Sequence, residues 1–431
     1  METIVALATP AGNSGVAVIR ISGEKSKEIL QKIIREKLDF KPRYMYLKDI
    51  YCNNIVDTAL VVYFSAPNSY TGEDVCEIQS HGGYYLVQKI IEECIKFGAQ
   101  LATPGEFSKR AFINGKMSID QAEGIMDIIN AESEMQAEQA SNLLKGSLKD
   151  KIVGYQDILT EILADIEAKI DYPEYDYTVE ESDALMTKLS GLKDELQHMI
   201  SESKNGLKIK NGISVAIVGA PNVGKSSILN ALTNSSKAIV TNIAGTTRDI
   251  VEAEYEYKGL IFKLFDTAGI HESDDVVEQI GIKRAKDTLS SADIVLLVSD
   301  QDNINEIKTN KPYIRIFNKS DKFVPKDKEK YLCVSALTGE NLGQLKEKIF
   351  EMSIGNKTLD NGLYLTNVRH IECIKKAISN LENCLKLFNN TTFDILSEEL
   401  KQSWRNLGEI TGTTNNERII DKIFSKFCLG K

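Results

Sequence analysis

Gly212–Ile–Ser–Val–Ala–Ile–Val–Gly–Ala–Pro–Asn–Val–Gly–Lys–Ser–Ser227 sets an apolar, β-branched run directly ahead of a glycine-bearing turn and a helix start. This is the pattern of a buried strand feeding a phosphate-binding loop. From Gly219 to Ser226 it fits G-x-x-x-x-G-K-[ST]. The glycines let the backbone turn back on itself, so that freed N–H groups and the helix N-terminus face phosphate oxygens. Lys225 supplies a point charge and the Ser226 hydroxyl can hold Mg²⁺, while Asn222, Val223, Gly224 and Ser227 complete the loop.

Four further elements follow in order, each at a sensible distance. Gly245–Thr–Thr–Arg–Asp249 lies in a polar loop, Asp266–Thr–Ala–Gly269 ends the apolar run Leu260–Phe265, Asn318–Lys–Ser–Asp321 ends Tyr313–Phe317, and Ser335–Ala–Leu337 ends Tyr331–Val334. Ligands of an open parallel sheet bind at the carboxyl ends of its strands, which is where these motifs fall. The Asp321 carboxylate can accept from guanine's ring N–H and exocyclic amine, whereas adenine would set an acceptor against that charge. GTP is therefore the expected ligand, held by the phosphate loop with Asp266, Thr267, Ala268, Gly269, Asn318, Lys319, Asp321, Ser335, Ala336 and Leu337.

A chain of 431 residues with 42% apolar content is too long for one core and predicts two or three domains. It contains no 18-residue apolar run, and its start, Met1–Glu–Thr–Ile–Val–Ala–Leu–Ala8, lacks the basic opening of a secretory signal; a cytoplasmic protein is expected. Seven scattered cysteines without C-x-x-C spacing argue against a disulfide framework or a zinc site. A net charge of −10 excludes a general binder of phosphate backbone, so contact with nucleic acid must be local or shared with a partner.

Up to about residue 117, short strands (Ile4–Ala8, Gly15–Ile21, Ala59–Phe64, Val75–Gln79) alternate with amphipathic helices near Lys25–Arg35 and Tyr84–Phe97, an α+β module. Its loops combine glycine with charge: Pro10–Gly15 ahead of Arg20, Ser69–Asp74 ahead of Glu77, His81–Gly–Gly83, and Pro104–Arg110 ahead of Asn114–Gly–Lys116. By themselves they read as turn chemistry plus solvated charge. From Ser118 to about Lys204 the periodicity is helical, and between Asp120 and Asp183 the sequence has 17 Asp/Glu against 4 Lys/Arg, a face that would repel nucleic-acid phosphate. Helical pattern resumes over Thr366–Leu387, Phe393–Thr411 and Asn415–Phe427, so the nucleotide-binding segment reads as inserted into an all-helical domain. Within it, Asp249–Tyr257 and Leu260–Phe265 flank Lys258–Gly259 as a hairpin beside the parallel strands, a Ras-like topology. Ile270 stands where Ras carries its water-orienting glutamine.

The whole set resembles one family, the MnmE (TrmE) tRNA modification GTPases, over essentially the full chain. The terminal Phe427–Cys–Leu–Gly–Lys431 is the most telling piece, since members end in Cys-x-Gly-Lys; Leu429 stands where isoleucine is usual. The resemblance implies an α+β tetrahydrofolate-binding domain over 1–117, a helical domain in two parts (118–210 and 356–431) and an α/β Ras-like P-loop GTPase domain over 211–355. It also implies a homodimer partnered by the flavoprotein MnmG in a heterotetramer. The pair would add an aminomethyl or carboxymethylaminomethyl group at the 5-position of the wobble uridine of certain tRNAs. The one-carbon unit would come from 5-formyl- or 5,10-methylene-tetrahydrofolate, with FAD and NADH on the partner.

Carried over residue by residue, Arg20, Glu77, Lys116 and Lys431 match the family's folate contacts. Cys428 matches a position important for modification, as a reacting thiol or as packing. Asn222, Thr241, Ile243 and Thr246 match potassium ligands, and Thr247 joins Ser226 on Mg²⁺. Asn242, Ala244 and Gly245 lie in the same nucleotide-binding loop. Glu278 matches the water-orienting glutamate and Lys225 serves catalysis as well as binding. The alternative is a GTP-switched binding protein of ribosome assembly, or another RNA-associated GTPase; those relatives usually add a basic RNA-binding module, whereas this chain adds an acidic helical body.

Overall fold

In the first sheet, alternation decides which residues face a core and which face a site. The computed structural model describes residues 1–172, 178–234, 253–266, 290–302, 309–355, 362–388, 392–414 and 417–431. The chain forms two compact units, one of residues 1–126, 143–173 and 392–431, the other of 127–142 and 174–391.

The first unit holds β1 (Ile4–Leu7), β2 (Ser14–Ser22), β3 (Met45–Cys52), β4 (Ile55–Phe64), β5 (Val75–Gly82) and β6 (Gln100–Leu101) in one sheet of order β3-β4-β5-β2-β1-β6. Along β2, Ala17, Ile19 and Ile21 are buried against α1 (Ser26–Ile34) and α2 (Tyr84–Lys96), whose apolar faces supply Ile29, Leu30, Ile33, Val87 and Ile90. Each such aliphatic contributes about 1.5–3 kcal/mol. Arg20 lies between them and so points to the opposite face, where the antiparallel register of β2 on β5 sets it directly across from Glu77. A one-residue slip would exchange core and site, so the buried isoleucines also fix where Arg20 stands.

Two expectations change here. Pro104–Arg110 is not a turn: α3 (Glu106–Ile113) starts within it, capped by Gly105 in the left-handed region, with Phe107 and Ala111 buried one turn apart. Its spacing also brings Arg110 one turn beyond Glu106, with which it pairs at 2.8 Å. The second is the strand set, which gains the edge strands β3, whose mixed polar faces hide its alternation, and β6.

Helices α4 (Ile119–Ile129), α5 (Glu134–Leu144), α6 (Ser147–Asp171) and α7 (Val179–Asn211) occupy the expected helical stretch. In the second unit α7 opens with a capping box between Thr178 and Glu181 and runs 33 residues to Gly212, where β7 (Ile213–Gly219) begins. There β8 (Ala253–Tyr257), β9 (Leu260–Asp266), β10 (Ile294–Ser299), β11 (Tyr313–Phe317) and β12 (Leu332–Cys333) join β7 in the order β12-β11-β10-β7-β9-β8. All pairs are parallel except the hairpin β8–β9. The expected Ras-like arrangement is thus present. Helices α8 (Lys225–Asn234), α9 (Leu342–Ile354) and α10 (Val368–Leu387) complete this unit as described. Back in the first unit, α11 (Phe393–Thr411) lies along α6, with Gln156 Nε2 donating to the Trp404 carbonyl at 3.1 Å. The last helix, α12 (Glu417–Phe424), packs Phe424 on Phe112 and Phe427. Five of the seven cysteines are buried, and among the described residues no helix is long and apolar enough to cross a membrane.

Arg110 ties three segments of the first unit together. It is 5% exposed, and its guanidinium donates to the Glu2 carbonyl at 2.7 Å, to Glu73 Oε2 at 3.1 Å and to Glu106 Oε1 at 2.8 Å. Removing one partner from such a cluster strands a desolvated charge at a cost of about 3–5 kcal/mol. Arg110→Met should therefore lower the unfolding free energy of this unit by about that much, read by urea denaturation of the full chain; a loss under about 1 kcal/mol would show the cluster to be a weak surface pairing.

Candidate functional site

Four strand ends of the second unit converge on one cleft. Gly219 closes β7 and Asp266 closes β9, Asn318 follows β11, and Ser335 follows β12. Asn318 is 2% exposed and joins three of these loops: its Nδ2 donates to the Val223 carbonyl at 2.9 Å, and its Oδ1 accepts from the Ala336 N–H at 3.2 Å. Gly224 permits that closeness, because a Cβ there would lie 2.2 Å from Asn318 Nδ2.

The buried Lys225 ammonium donates to the carbonyls of Gly219 and Ala220 at 3.1 and 3.2 Å, across the turn that would wrap phosphates. Ser226 Oγ donates to Asp266 Oδ2 at 3.0 Å, while Asp266 Oδ1 is buried with no hydrogen-bond partner among the described residues. An orphaned carboxylate oxygen beside a hydroxyl is a hard-oxygen donor set suited to Mg²⁺.

At the other end a cleft of about 160 Å³ is lined by Gly224, Ser227, Lys319, Asp321, Ala336 and Leu337. Ser335 Oγ donates to Asp321 Oδ1 at 2.6 Å, which orients the carboxylate that is expected to read the base. Lys319 forms part of the same wall. Of the expected nucleotide residues, Asn222, Val223, Gly224, Lys225, Ser226, Ser227, Asp266, Asn318, Lys319, Asp321, Ser335, Ala336 and Leu337 are described. Thr241, Asn242, Ile243, Ala244, Gly245, Thr246, Thr247, Thr267, Ala268, Gly269, Ile270 and Glu278 lie outside the described residues.

A second site lies in the first unit. Arg20 Nε donates to Glu77 Oε1 at 2.8 Å, and the guanidinium stands over the rings of Tyr70 and Phe107, 5.0 and 5.7 Å from their centroids. Its Nη1 is buried without a hydrogen-bond partner among the described residues. The chain terminus arrives here because Gly430 takes φ 91° against β1; a Cβ at that residue would sit 2.1 Å from the Leu7 carbonyl oxygen. Burial, and then the charge of Arg20, lower the Lys431 pKa, with Cys428 and Glu77 opposing. Arg20 and Lys431 are two cations sharing the one carboxylate of Glu77, a charge balance that suits an added anion. Arg20, Glu77 and Lys431 thus come together. Lys116 lies beside the 69–74 loop that carries Tyr70, its Cγ 3.3 Å from where a Gly72 Cβ would be. Cys428 is exposed, and its carbonyl accepts from the N–H of Gly105 at 3.3 Å. His81 pairs with Asp57, Nδ1 to Oδ1 at 2.6 Å.

Sequence reading passed over Tyr70 and Phe107, whose signal was only an aromatic in each glycine-bearing segment. It also passed over Asp300, the partner of Lys319 at 2.6 Å, although it directly follows a strand end as the recognised motifs do.

A glycine-bearing phosphate loop, an Asp–Ser pair for a divalent cation and a carboxylate poised for guanine define a P-loop GTP-binding protein. Family models match the chain for the MnmE helical domain over residues 119–428 and for the N-terminus of the GTP-binding protein TrmE over residues 3–116. The tRNA modification GTPase MnmE of Natranaerobius thermophilus is 38% identical over 457 aligned positions, covering 100% of this chain and 99% of the relative. That of Clostridioides difficile is 38% identical over 455, with the same coverage. Among solved structures, the G domain of the T. maritima FeoB iron transporter is 33% identical over 33% of this chain and 98% of its own, with a TM-score of 0.27. The chain belongs to the MnmE family of tRNA modification GTPases, and it is a GTP hydrolase.

If Asp321 reads the base, Asp321→Asn should weaken GTP and admit xanthosine triphosphate, because the amide can donate to the oxygen that xanthine presents in place of the guanine amine. Competition binding with the two nucleotides checks this, and an unchanged preference would remove Asp321 from base reading.

Proposed function

We propose that this GTPase drives one-carbon modification at the 5-position of the wobble uridine of certain tRNAs. In this reading it acts as a homodimer with an FAD-dependent MnmG-type flavoprotein that uses NADH, adding an aminomethyl or carboxymethylaminomethyl group. The observation that supports the folate part is the Arg20 cluster: a guanidinium with one buried, unpartnered nitrogen, two aromatic faces and the terminal Lys431 beside it. Cations suit the glutamate carboxylates of a tetrahydrofolate, and Glu77 suits the donor-rich pteridine edge. Lys116 would reach the same ligand from beside the 69–74 loop, and Cys428 would serve modification.

The proposal divides the chain into a folate-binding module over 1–117, a helical domain over 118–210 and 356–431, and an inserted GTPase domain over 211–355. It places the protein in the cytoplasm.

In the nucleotide site, Ser226 and Thr247 would hold Mg²⁺, with Asp266 beside them. Asn222, Thr241, Ile243 and Thr246 would hold a potassium ion, which supplies positive charge against the phosphates. Lys225 neutralises charge on the phosphate oxygens as it grows in the transition state, where such a fixed group is worth most. Glu278 orients the attacking water, the task that Ile270 cannot perform.

Arg20→Ala should weaken 5-formyltetrahydrofolate by about 1.5–3 kcal/mol, the worth of a charge-assisted contact, while GTP hydrolysis stays near normal. Calorimetry on the full chain reads the first and a phosphate-release assay the second; no folate binding by the intact protein would refute the N-terminal assignment.

Glu278→Ala should leave GTP affinity nearly intact and lower kcat by about 10²–10⁴, the range for a positioned acid–base or polar group. A variant that hydrolyses GTP within about threefold of the unaltered rate would exclude Glu278, since a loss that small falls below that range.

A further inference from the structure

We propose that Asp300 is a positioning residue of the nucleotide site: its carboxylate holds the Lys319 ammonium on the backbone oxygen of Asn222 and so sets the phosphate-loop turn from the base-pocket side. Lys319 Nζ lies 2.6 Å from Asp300 Oδ2 and 3.0 Å from the Asn222 carbonyl oxygen. One ammonium thereby joins the end of β10, the loop after β11 and the loop after β7.

Asp300 is itself held. Ser299 is 7% exposed; its hydroxyl donates to the Gln301 carbonyl at 2.8 Å and accepts from the Gln301 N–H at 3.1 Å, closing a turn around Asp300. The Ser299 carbonyl accepts from the Asn318 N–H at 2.8 Å, which fixes this turn relative to Lys319.

Both residues at the other end of the relay take backbone angles that side chains rarely adopt, φ 62° at Lys319 and φ 63° at Asn222. Such conformations persist where their surroundings over-determine them. Beside the Lys225 bonds to Gly219 and Ala220, Asn318 constrains the phosphate loop through Val223 and Lys319 constrains it through Asn222. The Lys319 side chain is 35% exposed and Asp300 only 20%, so without the anion the ammonium would keep a neutral carbonyl as its protein partner and could turn to water. A charge-assisted bond to a carboxylate whose backbone is fixed by its own turn outweighs that solvation, whereas a free surface pair would not.

The Asn222 side chain is the part of this turn that the potassium reading assigns to the cation, so the consequence for potassium rests on that reading. The consequence for nucleotide retention does not, because Lys319 lines the cleft directly.

The test uses the full chain and Asp300→Asn, which keeps the size and one oxygen acceptor but removes the charge. Dissociation of a fluorescent GDP analogue should quicken about tenfold, the scale of one charge-assisted bond. The potassium concentration for half-maximal GTP hydrolysis should rise about fivefold while kcat at saturating potassium stays within about twofold, a split that general destabilisation would not produce. In a Lys319→Met background, Asp300→Asn should add nothing to the dissociation rate, since the two residues act as one unit. A dissociation rate and potassium midpoint unchanged by Asp300→Asn would overturn the proposal, as would full additivity with Lys319→Met. Equal hydrolysis in potassium and sodium by the intact protein would overturn the potassium reading alone, and the dissociation rate and additivity would then decide the role of Asp300.

Discussion

The buried side-chain amide of Asn318 is the joint on which the nucleotide site depends. It ties the phosphate loop through Val223 to the loop after β12 through Ala336, and its own backbone N–H ties both to the end of β10. An amide 2% exposed cannot turn to water if one of these bonds is lost, and an unsatisfied donor or acceptor there would cost about 1–3 kcal/mol. The three loops therefore hold one spacing. That spacing sets the distance between the phosphate end, with Lys225, Ser226 and Asp266, and the base end, with Lys319 and Asp321. The parallel sheet brings strand ends to one edge, and the amide turns that coarse placement into a site.

The first unit meets a similar demand by other means. Arg20 and Glu77 face each other through strand register, and the buried isoleucines on either side of Arg20 resist any slip. Arg110 then closes the loop 69–74 and the N-terminus over that face, while Gly430 lets the chain end lie against β1 and bring Lys431 in. Here the site is assembled from a sheet face, a loop, a helix and the terminus. Burial first and the Arg20 charge second disfavour the charged form of Lys431 against the pull of Glu77, a cost that shows in its lowered pKa. That cost is what an anionic ligand would relieve.

Much of this was legible from residue order, because its signals are local. The phosphate loop needs its glycines and lysine at fixed spacing, the other motifs end apolar runs, and amphipathic periodicity marked the long helices. What failed had competing local chemistry. Pro104 and Gly105 announce a turn, and only the burial of Phe107 and Ala111 on one face makes the next residues helical. The edge strand β3 alternates, but charged and polar residues occupy enough of both faces to hide it.

The sequence by itself determined the class of nucleotide, the order of the elements and the membership that its terminal Cys–Leu–Gly–Lys suggested, since each depends on residue type at short spacing. Tertiary structure alone decided which groups meet. Arg20 faces Glu77 across 57 residues because of strand register, Lys431 arrives beside them because one glycine fits against a carbonyl, and Lys319 is held by Asp300 across 19. The reason is physical: a charge is positioned by its partner's place in space, and that place follows from how the intervening apolar residues pack.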